Sequence, residues 1–585
     1  MKTPSRIAAL ACLALLTSCA DLKSHGAAES ILQISGLNTG SPETFPAVLR
    51  LPDGKPAVLY ASPDSRVTLQ INGRTTLLDE KAPVHSGNRF QLHQQGKSLY
   101  ASWWSHENNK NLYITRSTDE GKSWGVVSII NDQHGVLPPY SLSFGTNGVV
   151  GATYSDERSP KYEVYFNRST DYGLNWPRPD TRLDEQPTSA VSFAVEPRTV
   201  QIGKTWITFW NDVSPIFAGT NVYQVHMRLS PDEGKTWGKV QDLYSSQHQI
   251  SSMQVIAAGD KIAVVFDDYR HGIKALVSPD KGQTWMPVAT SEGSTQMTNS
   301  GLVLASSDGY VYASWISQND GKKPDILFDR LGLADGKWVG ATQRIDVKQY
   351  SNTTSMLPTI YAFDHGPVVM AWVDYRDIKP NIFMSLSADH GKTWSAPQPF
   401  GKPGMVNLGL PKLLPWADGL ALAYESFPKD QPTNGEFILA NLNIDAKTKS
   451  LPVYAESENY TPEQKKKLLV ERVNKLAQLR IEKKYPEQYG FFDYAMRAFM
   501  PEKDFIEKSG IINYYKIELV KDSVEGNIAE IEQKMTYDSK PFPLPNGKMA
   551  SVKKVTVDVK STWVWVGDNW YLVYAPSFGK PLLSY

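Results

Sequence analysis

Seven short segments of this chain gather carboxylates, with arginine or tyrosine beside several of them. They read "SHENNK" (His106, Glu107), "SDERSP" (Asp156, Glu157, Arg158), "NDVSP" (Asp212), "DDYRHG" (Asp267, Asp268, Tyr269, Arg270), "SQNDGK" (Asp320), "DYRDIK" (Asp374, Tyr375, Arg376, Asp377) and "ESFPKD" (Glu425). Three chemistries are open to such residues. Two carboxylates facing one bond can divide general acid and base work in glycoside hydrolysis, and Asp268 and Asp374 are the candidates for that role. Alternatively, planar guanidinium groups and aromatic rings hold a saccharide by bidentate contacts and stacking, which makes Glu107, Asp156, Arg158, Asp212, Asp268, Arg270, Asp374, Arg376 and Glu425 candidate ligand contacts. Finally, each Asp-x-Arg pair can satisfy itself, and the recurrence of "DDYR" and "DYRD" favours such a repeated structural use. No metal site or cofactor is implied, because the 10 His are scattered, the 2 Cys fall at the extreme N-terminus, and no phosphate-binding glycine loop occurs. His365 and His390 stand in turn sequences, "DHGPVV" and "DHGKTW".

The elements that must carry these segments are set by a second recurrence. A Ser-x-Asp-x-Gly-x-x-Trp phrase returns in "RSTDEGKSWG", "RSTDYGLNWP", "LSPDEGKTWG", "VSPDKGQTWM" and "LSADHGKTWS", with a reduced form, "LADGKW", in a sixth place. The Asp can accept backbone N–H groups, the Gly supplies positive φ and the Trp covers apolar surface, so Asp119, Asp171, Asp232, Asp280 and Asp389 read as turn staples. Turn glycines at Gly54, Gly96, Gly148, Gly203, Gly259, Gly309, Gly366 and Gly419 mark eight units, spaced by 42, 52, 55, 56, 50, 57 and 53 residues. Within one unit, "MLPTIYAF", "PVVMAWV", "NIFMSLS" and "SAPQPF" read as four short strands, with "DYRDIK" between the second and third and the phrase between the third and fourth. Four strands per unit at this spacing predict an all-β propeller of seven or eight blades over residues 42–452.

The repeated phrase resembles the Asp-box, or bacterial neuraminidase repeat, of sialidases and other β-propellers. That resemblance implies boxes joining the third and fourth strands on the face opposite the ligand site, and places the acidic segments at the mouth. A sialidase also needs an arginine clamp for the substrate carboxylate and a tyrosine nucleophile. Aligning "ETFPAVLRLPDG" on Pro46 puts Thr44 where the first arginine belongs, and Arg50 lies out of register. In "NLGLPKLLPWADGLALAYES" Leu408 takes the tyrosine position. The expectation is therefore a sialidase-like binding protein, with hydrolysis at the mouth carboxylates as the alternative.

The start of the chain, "MKTPSRIAALACLALLTSCADLKS", has Lys2 and Arg6, an apolar run to Leu16, and "LTSC", which resembles a bacterial lipobox. The resemblance implies a signal peptide over 1–18, fatty acylation of Cys19 and a tether over 19–41. Ala20 points to the outer membrane of a bacterial cell envelope. Lys+Arg and Asp+Glu are both 61, so no global charge draws the chain to nucleic acid. From residue 453 the pattern changes. Thr461, Pro462 and Gln464 announce a capped helix with Leu468, Leu469, Val473, Leu476, Leu479 and Ile481 on its apolar face, and strands follow to the end. Helices followed by a curved antiparallel sheet, with "YGFFDYAMRAFMPEKDF" between them, resemble the NTF2-like (cystatin-like cone) superfamily over 453–585, where Asp493 and Tyr494 would stand near the cone mouth. The combined expectation is a lipid-anchored envelope protein that binds a glycan or a protein partner, or that serves as an assembly scaffold.

Overall fold

The computed structural model describes residues 28–35, 37, 45–79, 87–105, 110–158, 162–184, 193–215, 221–319, 323–346, 354–377, 379–401, 406–428, 435–454, 460–492, 497, 500–543, 549–566 and 568–573. Cys19, Thr44, His106, Glu107, Asp320, Asp493 and Tyr494 lie outside these residues, as does the expected signal peptide. Among the described residues no helix is long and apolar enough to cross a membrane.

Between residues 29 and 445 the described strands form eight four-stranded antiparallel sheets in chain order: 47–77, 87–129, 136–182, 193–246, 250–290, 298–344, 355–399, and 406–445. We number these sheets 1 to 8. The last takes its fourth strand from Glu29–Ser35, which pairs antiparallel with Glu436–Asp445, Ser35 opposite Glu436. That stretch was expected to be tether. Its alternation of "ILQIS" allows a strand, and the edge of sheet 8 gives its backbone groups partners.

Eight apolar clusters hold the ring, one between each pair of successive sheets. Trp103 and Leu59 join sheets 1 and 2, Tyr154 and Ile114 sheets 2 and 3, and Trp206 and Phe166 sheets 3 and 4. The series continues with Phe266 and Phe209, Trp315 and Val265, Trp372 and Phe328, and Leu422 and Met384. Val58 and Tyr60 of sheet 1 then pack on Phe437 and Leu439 of sheet 8 and close the circle. A closed ring of four-stranded sheets packed face to face is a β-propeller.

The five Asp phrases fold alike, between the third and fourth strands of their sheets. In the first, the Ser117 hydroxyl donates to Asp119 Oδ1 (2.8 Å) and accepts the Gly121 N–H (2.8 Å), while Asp119 accepts the Ser123 N–H (2.9 Å) and hydroxyl (2.6 Å). The same four bonds recur around Asp171, Asp232, Asp280 and Asp389, with Asn175 replacing the hydroxyl donor in the second. Ser123 and then Ser117 hold the Asp119 carboxyl down at about 2. With three donors aimed at each carboxylate, these aspartates staple turns. The turn also touches the preceding sheet. A Cβ on Gly234 would sit 2.4 Å from Phe166 Cζ, and Trp237 packs in the same cluster. Each box is thus a spacer between sheets as well as a turn.

The C-terminal unit begins with α1 (Pro462–Ile481), capped as its sequence announces: Gln464 N–H donates to Thr461 Oγ1 (3.3 Å) and Thr461 N–H to Gln464 Oε1 (2.7 Å). Short helices α2 (Tyr485–Tyr489) and α3 (Glu502–Lys508) follow. Leu469, Val473 and Leu476 of α1 pack with Trp563, Trp565 and Trp570 on a sheet of four strands. Ile481, expected on the apolar face, is exposed at the end of the helix.

The box glycines supply a test by denaturation. Gly234→Ala must displace Phe166 as well as hold Ala at φ +76°, and should lose more than about 2 kcal/mol, whereas Gly259→Ala, at φ +62° with no atom within 4 Å, should lose about 1 kcal/mol. Equal losses would contradict the spacer role of the box.

Candidate functional site

The sequence-derived mouth candidates do lie near the turns between second and third strands, at the end of each sheet opposite the boxes. The described carboxylates among them are not open to a ligand, whereas Arg270 is exposed. Asp156, Asp212, Asp268, Asp374 and Glu425 are each at most 2% exposed. Asp374 accepts the Arg376 N–H (2.8 Å), Arg376 Nη2 (2.8 Å), the Ser355 hydroxyl (3.1 Å) and Trp372 Nε1 (3.2 Å), and the guanidinium lies 4.1 Å over Phe383. Asp156 and Arg158 repeat this arrangement, with Tyr165 under the guanidinium at 3.8 Å. Arg158 reaches further, to Asp132 (2.5 Å) and Asp180 (2.9 Å), and so ties sheet 3 to the loop leaving sheet 2. Burial and the neighbouring Asp132 hold Asp180 up at about 6, and burial raises Asp156 against the pull of Arg158.

The kinship expected between "DDYR" and "DYRD" does not extend to their arginines. Asp268 accepts the Tyr244 hydroxyl (2.6 Å) and the Ser246 hydroxyl (3.0 Å), while His271 N–H donates to the Asp268 carbonyl (2.7 Å) in a tight turn. Arg270 takes φ +61° in that turn and projects outward over Tyr269 at 5.8 Å. The shorter connection, from Asp268 to its partner Gly272 rather than from Asp374 to its partner Asn381, goes with the opposite direction of the guanidinium. Asp267, pushed up to about 6 by burial, accepts Asn299 Nδ2 (3.0 Å) on the other face of the strand. Asp212 faces His226 at 3.9 Å, and His226 in turn holds Asp242 at 2.8 Å. His365 and His390 are turn residues with positive φ, both directed at Asp308.

The accessible site lies on the axis. A cavity of about 590 Å³ is lined by the first strands of sheets 1, 2, 3, 6, 7 and 8, which identifies the first strand of each sheet as the innermost. Those strands share an irregularity. Register shifts fall at Asn88/Gln91, Leu137/Tyr140, Val195/Arg198, Ser251/Gln254, Ser300/Val303, Met356/Thr359 and Gly409/Lys412. In six of the seven the inserted residue has positive φ: Arg89, Glu196, Ser252, Gly301, Leu357 and Leu410. The next residue, buried, is Phe90, Pro197, Met253, Leu302, Pro358 or Pro411. Proline suits a bulge because an N–H there would lack a ladder partner. Bulges re-aim side chains, and left-handed non-glycine residues such as Leu357 and Leu410 carry strain of the kind that clusters at binding sites.

The side chains aimed inward include Arg89 and Lys412, and no carboxylate is among the residues named as lining the cavity. Lys412 is solvent-accessible yet surrounded by the ring, and this enclosure pulls its ammonium below the ordinary lysine range. Arg198, one position past the sheet 4 bulge, is likewise lowered by burial; Glu196 opposes the shift and the like charge of Arg89 adds to it. The result is an open, partly apolar cavity at the mouth end of the axis with Arg89 and Lys412 on its wall. Tyr140, the tyrosine of this wall, is fully buried, bonds Ser102 Oγ (2.9 Å) and donates to the Arg89 carbonyl (2.9 Å), and burial raises its phenol well above the usual range. Among the described residues no carboxylate bonds to its hydroxyl.

Register alignment on the Pro46 strand does not reach Arg89 and Arg198, which stand at bulges on the inner strands of sheets 2 and 4, and on the Leu408 strand it passes over Lys412 because the Gly409/Lys412 bulge shifts the register. Leu408 itself pairs with Ser426 two residues before the sheet 8 bulge. A signal was present in the sequence: Pro46, Pro139, Pro197, Pro358 and Pro411 each precede a turn glycine by six to nine residues.

No family model matches the chain, and no curated protein matches it. Among solved structures, an ulvan lyase bound to -[GlcA(1-4)Rha3S]- is 12% identical, covers 61% of this chain and 91% of its own, and has a TM-score of 0.40. An α-L-arabinofuranosidase from Fusarium graminearum, in complex with an iminosugar inhibitor, is 14% identical over 71% of this chain and 99% of its own, at 0.35. A protein of unknown function from Dyadobacter fermentans is 15% identical over 51% and 97%, at 0.32. At such overlap these likenesses assign neither activity nor substrate; the ring described above rests on this chain's own strand pairing.

The ion pairs of the mouth can be tested for a structural role. Asp374→Asn leaves the half-buried Arg376 without its countercharge and should lower unfolding free energy by roughly 2 kcal/mol in urea. A loss below about 0.5 kcal/mol, the level of an ordinary surface change, would return Asp374 to the chemical candidates.

Proposed function

We propose that this protein is a lipid-anchored component of a bacterial envelope whose eight-bladed, Asp-box propeller binds an acidic glycan on its axis without cleaving it. The observation that carries the reading is the axial cavity walled by Arg89 and Lys412, with Arg198 beside them, in a chain of zero formal net charge. Enclosure strengthens each charge–carboxylate contact relative to water, and a guanidinium accepts a carboxylate or sulfate in bidentate fashion. The leucine, proline and phenylalanine faces between the cations suit the apolar faces of sugar rings.

Recognition rather than hydrolysis is favoured by what surrounds the cations. Glycoside cleavage through two carboxylates needs both within several ångströms of one bond, yet the candidates Asp268 and Asp374 are buried and engaged by neighbouring donors. A tyrosine route needs a phenol with lowered pKa, and Tyr140 is shifted the other way. Anchoring through Cys19 and residence in the outer membrane complete the proposal, with the C-terminal unit, of NTF2-like type, as a second binding module.

Calorimetry with the full chain in detergent, titrated with an oligogalacturonate and with neutral malto-oligosaccharides of equal length, tests the axis. The acidic oligomer should bind preferentially, weaken with added salt, and lose at least about tenfold in affinity in Arg198→Gln or Lys412→Met, equivalent to about 1.4 kcal/mol. Mass spectrometry of the mixture should show intact sugar. Shortened products carrying one added water per cut, abolished by Asp268→Asn, would replace this reading with the hydrolytic one.

A further inference from the structure

The C-terminal unit contains a second cavity, of about 470 Å³, with a different character. Its wall is largely aromatic: Tyr485 from α2, Phe492 after it, Phe505 from α3, and Tyr514 and Tyr537 from the first two strands of the sheet. Gly510, at φ +89°, closes one side. A Cβ there would meet the Tyr485 hydroxyl at 3.2 Å, so the turn is held close against the ring.

One cation is built into this wall. Arg480, in the last turn of α1, is half-buried and lies 5.8 Å from the Tyr514 ring centre. Among the described residues no carboxylate is within ion-pair distance of it, and the acids nearby are engaged elsewhere. Glu482 pairs with Lys484 (2.9 Å) and accepts Gln478 Nε2 (2.7 Å); Asp538 accepts the Tyr515 hydroxyl (2.6 Å) and Asn513 Nδ2 (2.7 Å). Lys508, also on the wall, adds a second positive group in an exposed position. Enclosure lowers the Arg480 guanidinium from its ordinary value, but an arginine keeps its charge in a protein, so the enclosed charge calls for a partner anion. Few polar groups remain for a sugar to use. The Gln488 amide donates to the Leu479 carbonyl (2.9 Å), and Ser539 Oγ accepts the Val552 N–H (2.7 Å).

The geometry points to a small organic anion, with a flat apolar body and a carboxylate or sulfonate end, as the ligand of this cavity, its anionic group paired with Arg480. The aromatic walls bury the body and the guanidinium fixes its orientation. This site is separate from the axial one in residues and in ligand chemistry, because the axial cavity offers cations on several strands for a polyanion whereas this one offers a single enclosed guanidinium among rings.

Titration calorimetry of the full chain with 2-naphthoate and with the neutral 2-naphthamide tests the assignment. Naphthoate should bind one site per chain at least about tenfold more tightly than the amide. Arg480→Gln should reduce naphthoate to the affinity of the amide while leaving amide binding unchanged, which also reports that the cavity is intact. Lys412→Met should leave both unchanged, so failure of the axial reading and failure of this one are distinguishable. Naphthoate bound equally well by Arg480→Gln, or lost in Lys412→Met, would overturn the proposal. Should Arg480→Gln fail to fold, equal affinities of the unaltered protein for acid and amide would overturn it instead.

Discussion

The antiparallel ladder between Glu29–Ser35 and Glu436–Asp445 is the interaction on which the rest of the propeller depends. It joins the first part of the chain to the last sheet, and Gln33 Nε2 and the Ser35 hydroxyl reinforce it by donating to the Glu436 carboxylate (2.8 and 3.2 Å). With the ring closed, sheet 8 packs on sheet 1 through Phe437 and Val58, and no sheet face is left without a neighbour. Each further contact then acts under a fixed circumference. The box turns set the spacing on one end through glycine and tryptophan, while buried Asp-x-Arg pairs fasten sheets 3 and 7 on the other.

A closed ring also creates the axis, and the bulges decide what lines it. Regular inner strands would alternate side chains between the neighbouring sheets. One inserted residue per strand goes with Arg89 and Lys412 on the wall of one cavity, with Arg198 near Arg89, at the expense of left-handed backbone at Arg89, Glu196, Leu357 and Leu410. Two cations on one wall raise the local positive potential, which suits an anionic ligand. The mouth carboxylates lie at the other extreme. They are matched by arginine, tyrosine, serine and asparagine, and they contribute rigidity around the site.

Much of the architecture was legible in the sequence because it repeats. The box phrase and turn glycines give strand order, sheet size and the position of the loops, and the capping box of α1 is explicit in Thr461, Pro462 and Gln464. Two features escaped for physical reasons. Ring closure pairs residues some 400 apart, and the short strand Glu29–Ser35 has no turn signal linking it to its partner. The axial cations arise from bulges whose local mark is a proline beside Arg198 and Lys412 and none beside Arg89, and a register argument assumes strands without insertions. The mouth arginines illustrate a third limit: "DDYR" and "DYRD" share residue types, yet loop length directs Arg270 outward and Arg376 onto Asp374.

The central claim is that ligand recognition takes place on the axis. The most direct measurement is a crystal structure of the protein soaked with a tri-galacturonate. The account expects sugar density in the axial cavity, with a carboxylate against Arg89, Arg198 or Lys412. Ordered sugar over the loops around Tyr269 and Arg270, with an empty axis, would contradict it.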